Sequence, residues 1–217
     1  MENNERKSQQ IDRLLEVMRI LRDPIKGCPW DKEQSFASVA PYTIEEAYEV
    51  EDAIRKQDFG ELKEELGDLL LQVVFHSQIA AELDLFDFDQ VVMGVCDKMI
   101  SRHPHVFQGS VVIDIHSQGE SWELQKSEER KQKSVEQGRQ SRTLDDVALA
   151  LPALMRAQKL SKRVARVGFD WPSSVVAWKK VEEEISEIQE ELETKAPNST
   201  RLQEEFGDLL FALCSWE

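Results

Sequence analysis

The chain has 217 residues, enough for one large or two small domains with a sizeable core. Its formal charge of −15 excludes a general nucleic-acid binder, since phosphate backbones select basic surfaces, and no apolar run is long enough to span a membrane. With only 9 glycines and 7 prolines against abundant Glu, Lys, Gln, Leu and Ala, the composition is that of helices, and an all-α fold is expected.

The polar opening MENNERKSQQ lacks the apolar stretch of a secretion signal. Cys28, Cys96 and Cys214 are odd in number and far apart, fitting neither a disulfide framework nor a zinc site, so a cytoplasmic location is expected. Cys28 precedes a proline and has no histidine base nearby, so it reads as a buried structural thiol, and Trp30 reads as a packing anchor. Thr43 with Glu46 forms a capping-box pattern that predicts a helix to about Lys56. Asp58 with Glu61 predicts the start of a second helix, running to about Ala81, and so short a connection makes antiparallel neighbours. Further on, Lys98 and Arg102 share a helix face, and His103 and His105 flank Pro104 at its end.

Residues 108–142 are polar, glycine-dotted and rich in charge, which predicts a linker between a first domain (1–107) and a second (143–217), with one exposed helix near Glu120 to Lys133. In the second domain Trp171 and Trp178 read as packing residues. Pro197 and Asn198 break the chain, and Thr200 with Gln203 caps the expected return helix.

The two domains share a text. Glu64–Val73 (EELGDLLLQV) and Glu204–Leu213 (EEFGDLLFAL) are identical at six of ten positions. Upstream, EEAYE (Glu45–Glu49) matches EEISE (Glu183–Glu187), and GCPWD has a looser counterpart in VGFDW. An ordered set of matches indicates duplication of one helical unit.

The repeated segments gather carboxylates. Glu46 and Glu49 are three apart, as are Glu65 and Asp68, so each pair lies on one helix face. Packed antiparallel, the two helices bring four or five carboxylates together, an unfavourable cluster without a cation. Oxygen ligands alone suit a hard ion, Mg²⁺ or Mn²⁺. A di-iron bundle needs Glu-x-x-His pairs, and no histidine here has a glutamate three residues before it. Gly67 and Gly207 sit between ligand candidates, where a missing side chain gives room for close helix approach or for a ligand.

EExxE followed by ExxD resembles the signature of the MazG-type nucleoside triphosphate pyrophosphohydrolases. The segments GCPWDKEQSF, APYTIEEAYEV, ELGDLLLQVVFHSQIA and RHPHVF resemble that family's first domain, and LPALMRAQKLSKRVARVGFDW with KVEEEISEI the start of its second. The resemblance implies a tandem repeat of helical hairpins in four-helix-bundle units, a homodimer, and Mg²⁺-dependent cleavage of nucleoside triphosphates to monophosphate and pyrophosphate. It maps Glu46, Glu49, Glu65 and Asp68 to metal ligands in the first unit, and Glu184, Glu187, Glu205 and Asp208 to those in the second. Glu45 and Glu183 complete the acidic triplets as water-positioning candidates, and Glu183, Glu184, Glu204 and Asp208 are also expected at the substrate.

A triphosphate needs cationic partners, which ranks the two units. Lys180 stands three residues before the second triplet, where the first has Tyr42; Arg201 stands four before Glu205, where the first has Glu61. In the family, Lys180 and Arg201 match nucleotide-contacting positions. The first unit has instead Lys98 and Arg102, which could close over phosphates. The tail LCSWE does not resemble the family's continuation, so the second unit is expected to be incomplete. The competing expectation is a catalytically impaired helical scaffold or regulatory protein.

Overall fold

The computed structural model describes residues 2–107 and 126–214, apart from 133, 137, 141, 146, 195 and 197 and the side chains of 2–9. Most of the expected linker, 108–125, lies outside the described residues, as do Glu120, Lys133 and Pro197; 126–132 and 134–136 are helical. Among the described residues every regular element is a helix, and the chain divides into two compact units, Met1–Asp114 and Ile115–Glu217.

The first unit comprises α1 (Glu2–Leu21), a 3-10 turn (Asp31–Glu33), α2 (Phe36–Lys56), α3 (Phe59–Glu82), α4 (Phe88–Arg102) and the short α5 (Pro104–Phe107). Its centre is the α2–α3 hairpin. Gln57 takes the left-handed conformation (φ 58°) that ends α2, and the Asp58 carboxylate accepts the Gly60 and Glu61 N–H groups at 3.0 and 3.1 Å to begin α3. The Asp58 cap is as expected; the start of α2 is not. Ser35, not Thr43, caps it, in a reciprocal capping box with Ser38. Pro41 looks like a barrier in sequence, but it sits near the helix start, where its missing N–H removes a bond only from the second turn. Thr43 is therefore mid-helix, its hydroxyl 3.0 Å from His76 Nε2 on α3.

The core of this unit is Met18, Val39, Val74, Phe75 and Ile79, with Leu14, Leu15, Phe36, Leu71 and Phe88 packed around it. Arg22, just past α1, clamps the core's edge. Its guanidinium, only 5% exposed, donates to the Glu82 carboxylate at 2.6 to 3.1 Å and to the carbonyls of Asp31 and Gln34. It also lies 5.3 Å from the centre of the Phe75 ring. The loop after it turns at Gly27, where a Cβ would meet the carbonyl oxygens of Asp23 and Leu21 at 2.4 and 2.5 Å, so only hydrogen fits.

The second unit contains α6 (Ala153–Ala165), α7 (Ser174–Glu193) and α8 (Ser199–Cys214). Past the end of helix α6 Gly168 takes the left-handed conformation (φ 85°), and Ser173 caps α7 through the Val176 N–H. Helices α7 and α8 pair, and α6 packs on α8. Asn198, rather than Thr200, caps α8: its side-chain oxygen accepts the Thr200 and Arg201 N–H groups at 2.9 and 3.4 Å.

Both hairpins leave apolar side chains in solvent. Ile44, Tyr48, Leu66 and Leu70 are 40–56% exposed in the first unit, and Phe206, Leu210 and Leu213 46–51% in the second. Gly67 and Gly207 lie on these open faces; a Cβ at either would touch nothing within 4 Å, so close helix approach inside a unit is not what they serve.

Candidate metal centre

Helix α2 turns Glu46 and Glu49 towards α3, which supplies Glu65. One oxygen from each lies within 4.8 Å of the others. Burial, then Asp68, Glu49 and Glu65, pushes the Glu46 carboxyl above its ordinary range. Burial, then Glu49 and Asp68, does the same to Glu65. Asp68 is thus within electrostatic reach of the trio without joining it, and Glu45 is exposed on α2. Lys98 is exposed on α4, and Arg102 is half-buried at that helix's end.

In the second unit Glu184 comes from α7, and Glu205 and Asp208 from α8; again one oxygen from each lies within 4.8 Å of the others. Glu187 stands beside this trio. Burial, then Glu205 and Glu184, raises its carboxyl, against a smaller lowering by Lys180. So each predicted quartet yields a trio at ligand spacing and one neighbour, but the neighbour differs: Asp68 in the first unit, Glu187 in the second. The matching positions carry the same residue types, so side-chain placement differs between the units, and neither composition nor helical spacing states it.

Cations make the larger difference. The Lys180 ammonium lies 2.7 Å from Glu183 Oε1 and 2.8 Å from Glu184 Oε1. Those hydrogen bonds, Glu183 first and then Glu184, hold its pKa well above the ordinary lysine value, so it stays charged. Arg201 lies 4.0 Å from Glu205 and 3.4 Å from Glu191. Glu204 is exposed on α8. The sequence reading missed Glu191, which looks like one more solvated helix carboxylate. It is 7% exposed and accepts the Asn198 N–H at 2.8 Å, tying the end of α7 to the start of α8 beside Arg201.

Glu184 is only 3% exposed, and its second oxygen, Oε2, is buried with no hydrogen-bond partner. A buried carboxylate oxygen left unmatched is costly, and here it belongs to a convergent all-oxygen donor set. That combination fits a hard divalent cation. The second unit also holds an apolar cavity of about 240 Å³, lined by Phe169, Trp171, Pro172, Val176 and Phe211.

Comparison with known proteins shows the family. Residues 34–107, carrying the first cluster, match the MazG nucleotide pyrophosphohydrolase domain. The nucleoside triphosphate pyrophosphohydrolase of Escherichia coli K12 is 52% identical over 203 residues, 94% of this chain and 75% of that protein. The nucleoside triphosphate pyrophosphohydrolase/pyrophosphatase MazG of Thermotoga maritima is 39% identical over 202 residues, 93% and 73% of the two chains. The Mycobacterium tuberculosis nucleoside triphosphate pyrophosphohydrolase is 34% identical over 196 residues, 89% and 55%. With identity at this level across nearly the whole chain, and the carboxylates converging on facing helices, the chain belongs to the MazG nucleotide pyrophosphohydrolase family.

Proposed function

We propose that this chain is an enzyme that hydrolyses nucleoside and deoxynucleoside triphosphates to the monophosphate and pyrophosphate, with Mg²⁺ or Mn²⁺ held in the second unit. The observation that carries the reading is the buried, partnerless Glu184 oxygen among the converging carboxylates of Glu205 and Asp208. Glu187 completes the ligand set. A divalent cation bound there supplies neutralisation of the charge on the phosphate oxygens.

The protein's own groups do the rest. Lys180 and Arg201 present positive charge beside the cluster and hold the triphosphate. Glu183, exposed next to Lys180, orients the attacking water, while Glu204 lies at the entrance to the substrate. The apolar cavity lined by Trp171 and Phe211 receives the base, since aromatic faces accept any base with little discrimination. In the first unit Glu46, Glu49, Glu65 and Asp68 form a second metal set, with Glu45 as the counterpart of Glu183 and with Lys98 and Arg102 as its phosphate partners.

Two copies of the chain pair through the exposed apolar faces of their hairpins, since water disfavours exposed apolar side chains. The working site is placed in the cytoplasm, where the three free cysteines stay reduced. Among the described residues no helix is long and apolar enough to cross a membrane. Incubation of the chain with a panel of triphosphates and Mg²⁺, with products resolved by phosphorus NMR, tests the reading. Monophosphate and pyrophosphate are expected, and chelation should stop their formation; release of inorganic phosphate with a diphosphate would contradict it.

A further inference from the structure

In the second unit one metal-ligand carboxylate is already shared. Lys180 reaches Glu184 Oε1 at 2.8 Å, while Glu184 Oε2 is buried with no partner and Glu184 contributes to the trio converging within 4.8 Å. The lysine side chain is 33% exposed and that of Glu184 only 4%, so their charges meet where solvent screens weakly. An ammonium has three N–H donors. Glu183 and Glu184 take two, leaving one for an incoming acceptor. The corresponding place in the first unit is Tyr42, so this arrangement belongs to the second unit alone.

We infer that Lys180 makes metal and triphosphate binding in the second unit mutually dependent, weakening the carboxylates' hold on a divalent cation alone and relieving that weakening when a triphosphate arrives. This rests on the proposed reading of the unit as a metal-dependent triphosphate site. A bare cation entering against Glu184 meets a fixed positive charge a few ångströms away and a carboxylate already partly neutralised. A triphosphate changes both terms. Its oxygens accept the free Lys180 N–H and supply negative charge between the ammonium and the metal. Linkage then requires the reverse effect: metal strengthens triphosphate binding by the same factor. Lys180 thereby weakens the site's hold on metal in the absence of substrate.

The test is Mn²⁺ binding to the full chain, followed by electron paramagnetic resonance, alone and with an α,β-methylene nucleoside triphosphate that resists cleavage. Sites of the second unit are those removed by Glu184→Gln. In the wild-type chain the analogue should tighten Mn²⁺ binding there by on the order of tenfold or more. Lys180→Met should tighten Mn²⁺ binding without nucleotide by on the order of tenfold and reduce the coupling below about threefold. Lys180→Arg, which keeps the charge, should retain the coupling, and Lys180→Gln replaces the methionine variant if that fails to fold. Unchanged or weaker Mn²⁺ affinity in the neutral variants, or full coupling in them, overturns the inference while leaving the triphosphate site standing. If the wild-type chain binds neither the analogue nor Mn²⁺ at sites sensitive to Glu184→Gln, the proposed function falls and the inference with it.

Discussion

Replacing Glu184 by methionine separates what the cluster costs the fold from what it gives the site. The two side chains are similar in volume, so packing around this 3%-exposed position changes little. The substitution removes a buried oxygen with no partner, which costs the native state about 1–3 kcal/mol. It also removes the ion pair with Lys180, whose side chain is a third exposed and remains bonded to Glu183; a loss of about 1 kcal/mol or less is expected from that. The balance predicts that Glu184→Met leaves the metal-free protein between equally stable and about 3 kcal/mol more stable. Ligand-linked stability moves the other way. Mg²⁺ with an uncleavable triphosphate at a hundred times its dissociation constant stabilises a competent site by about 2.7 kcal/mol, and the variant should gain none of it. Urea unfolding followed by circular dichroism, in chelator and again with Mg²⁺ plus analogue, reads both effects. A variant more than about 1 kcal/mol less stable in chelator would refute the reasoning, because the carboxylate would then be a structural asset of the empty fold.

Three further outcomes follow from particular contacts. Arg22→Met strands the Glu82 carboxylate and the carbonyls of Asp31 and Gln34, so a loss of about 3 kcal/mol is expected in urea unfolding, and below 1 kcal/mol the clamp is not structural. Gly27→Ala forces a Cβ against two carbonyl oxygens at 2.4 and 2.5 Å and should cost about 2–3 kcal/mol, measured as a lower urea midpoint; no change would show that the loop relaxes freely. Glu46 and Glu65 have carboxyls raised by burial and by each other's neighbours, so the folded chain holds protons that the unfolded chain has released. Stability without metal should therefore fall as pH rises from 4.5 through the raised values, and Glu46→Gln should flatten that slope, visible in melting temperatures across the range.

Much of the architecture was legible because short-range rules govern it. Asp58 begins α3 where a side-chain oxygen with two following amides predicts, and the acidic spacing puts both clusters on facing helices. Helix starts failed where two capping residues competed. Ser35 won over Thr43 because its capping box with Ser38 starts the helix ahead of Pro41, and Asn198 over Thr200 because its amide oxygen reaches both free N–H groups. Which carboxylate stands beside each trio was not legible, since Asp68 and Asp208, like Glu49 and Glu187, are the same residue at the same spacing and differ only in surroundings. Lys180 was picked out by its position before the triplet, but that it grips Glu184 itself depends on side-chain placement. Glu191 and the Arg22–Glu82 pair join residues in different elements, and composition carries no signal for them.

The most direct measurement compares pyrophosphate release with Mg²⁺ by the intact chain, Glu205→Ala and Glu65→Ala, each confirmed folded by circular dichroism. A working site in the second unit predicts turnover by the intact chain, loss of at least about a hundredfold with Glu205→Ala, and most of the activity kept with Glu65→Ala. Loss confined to Glu65→Ala would move catalysis to the first unit, and a folded intact chain that releases no pyrophosphate from any triphosphate would contradict the proposed activity outright.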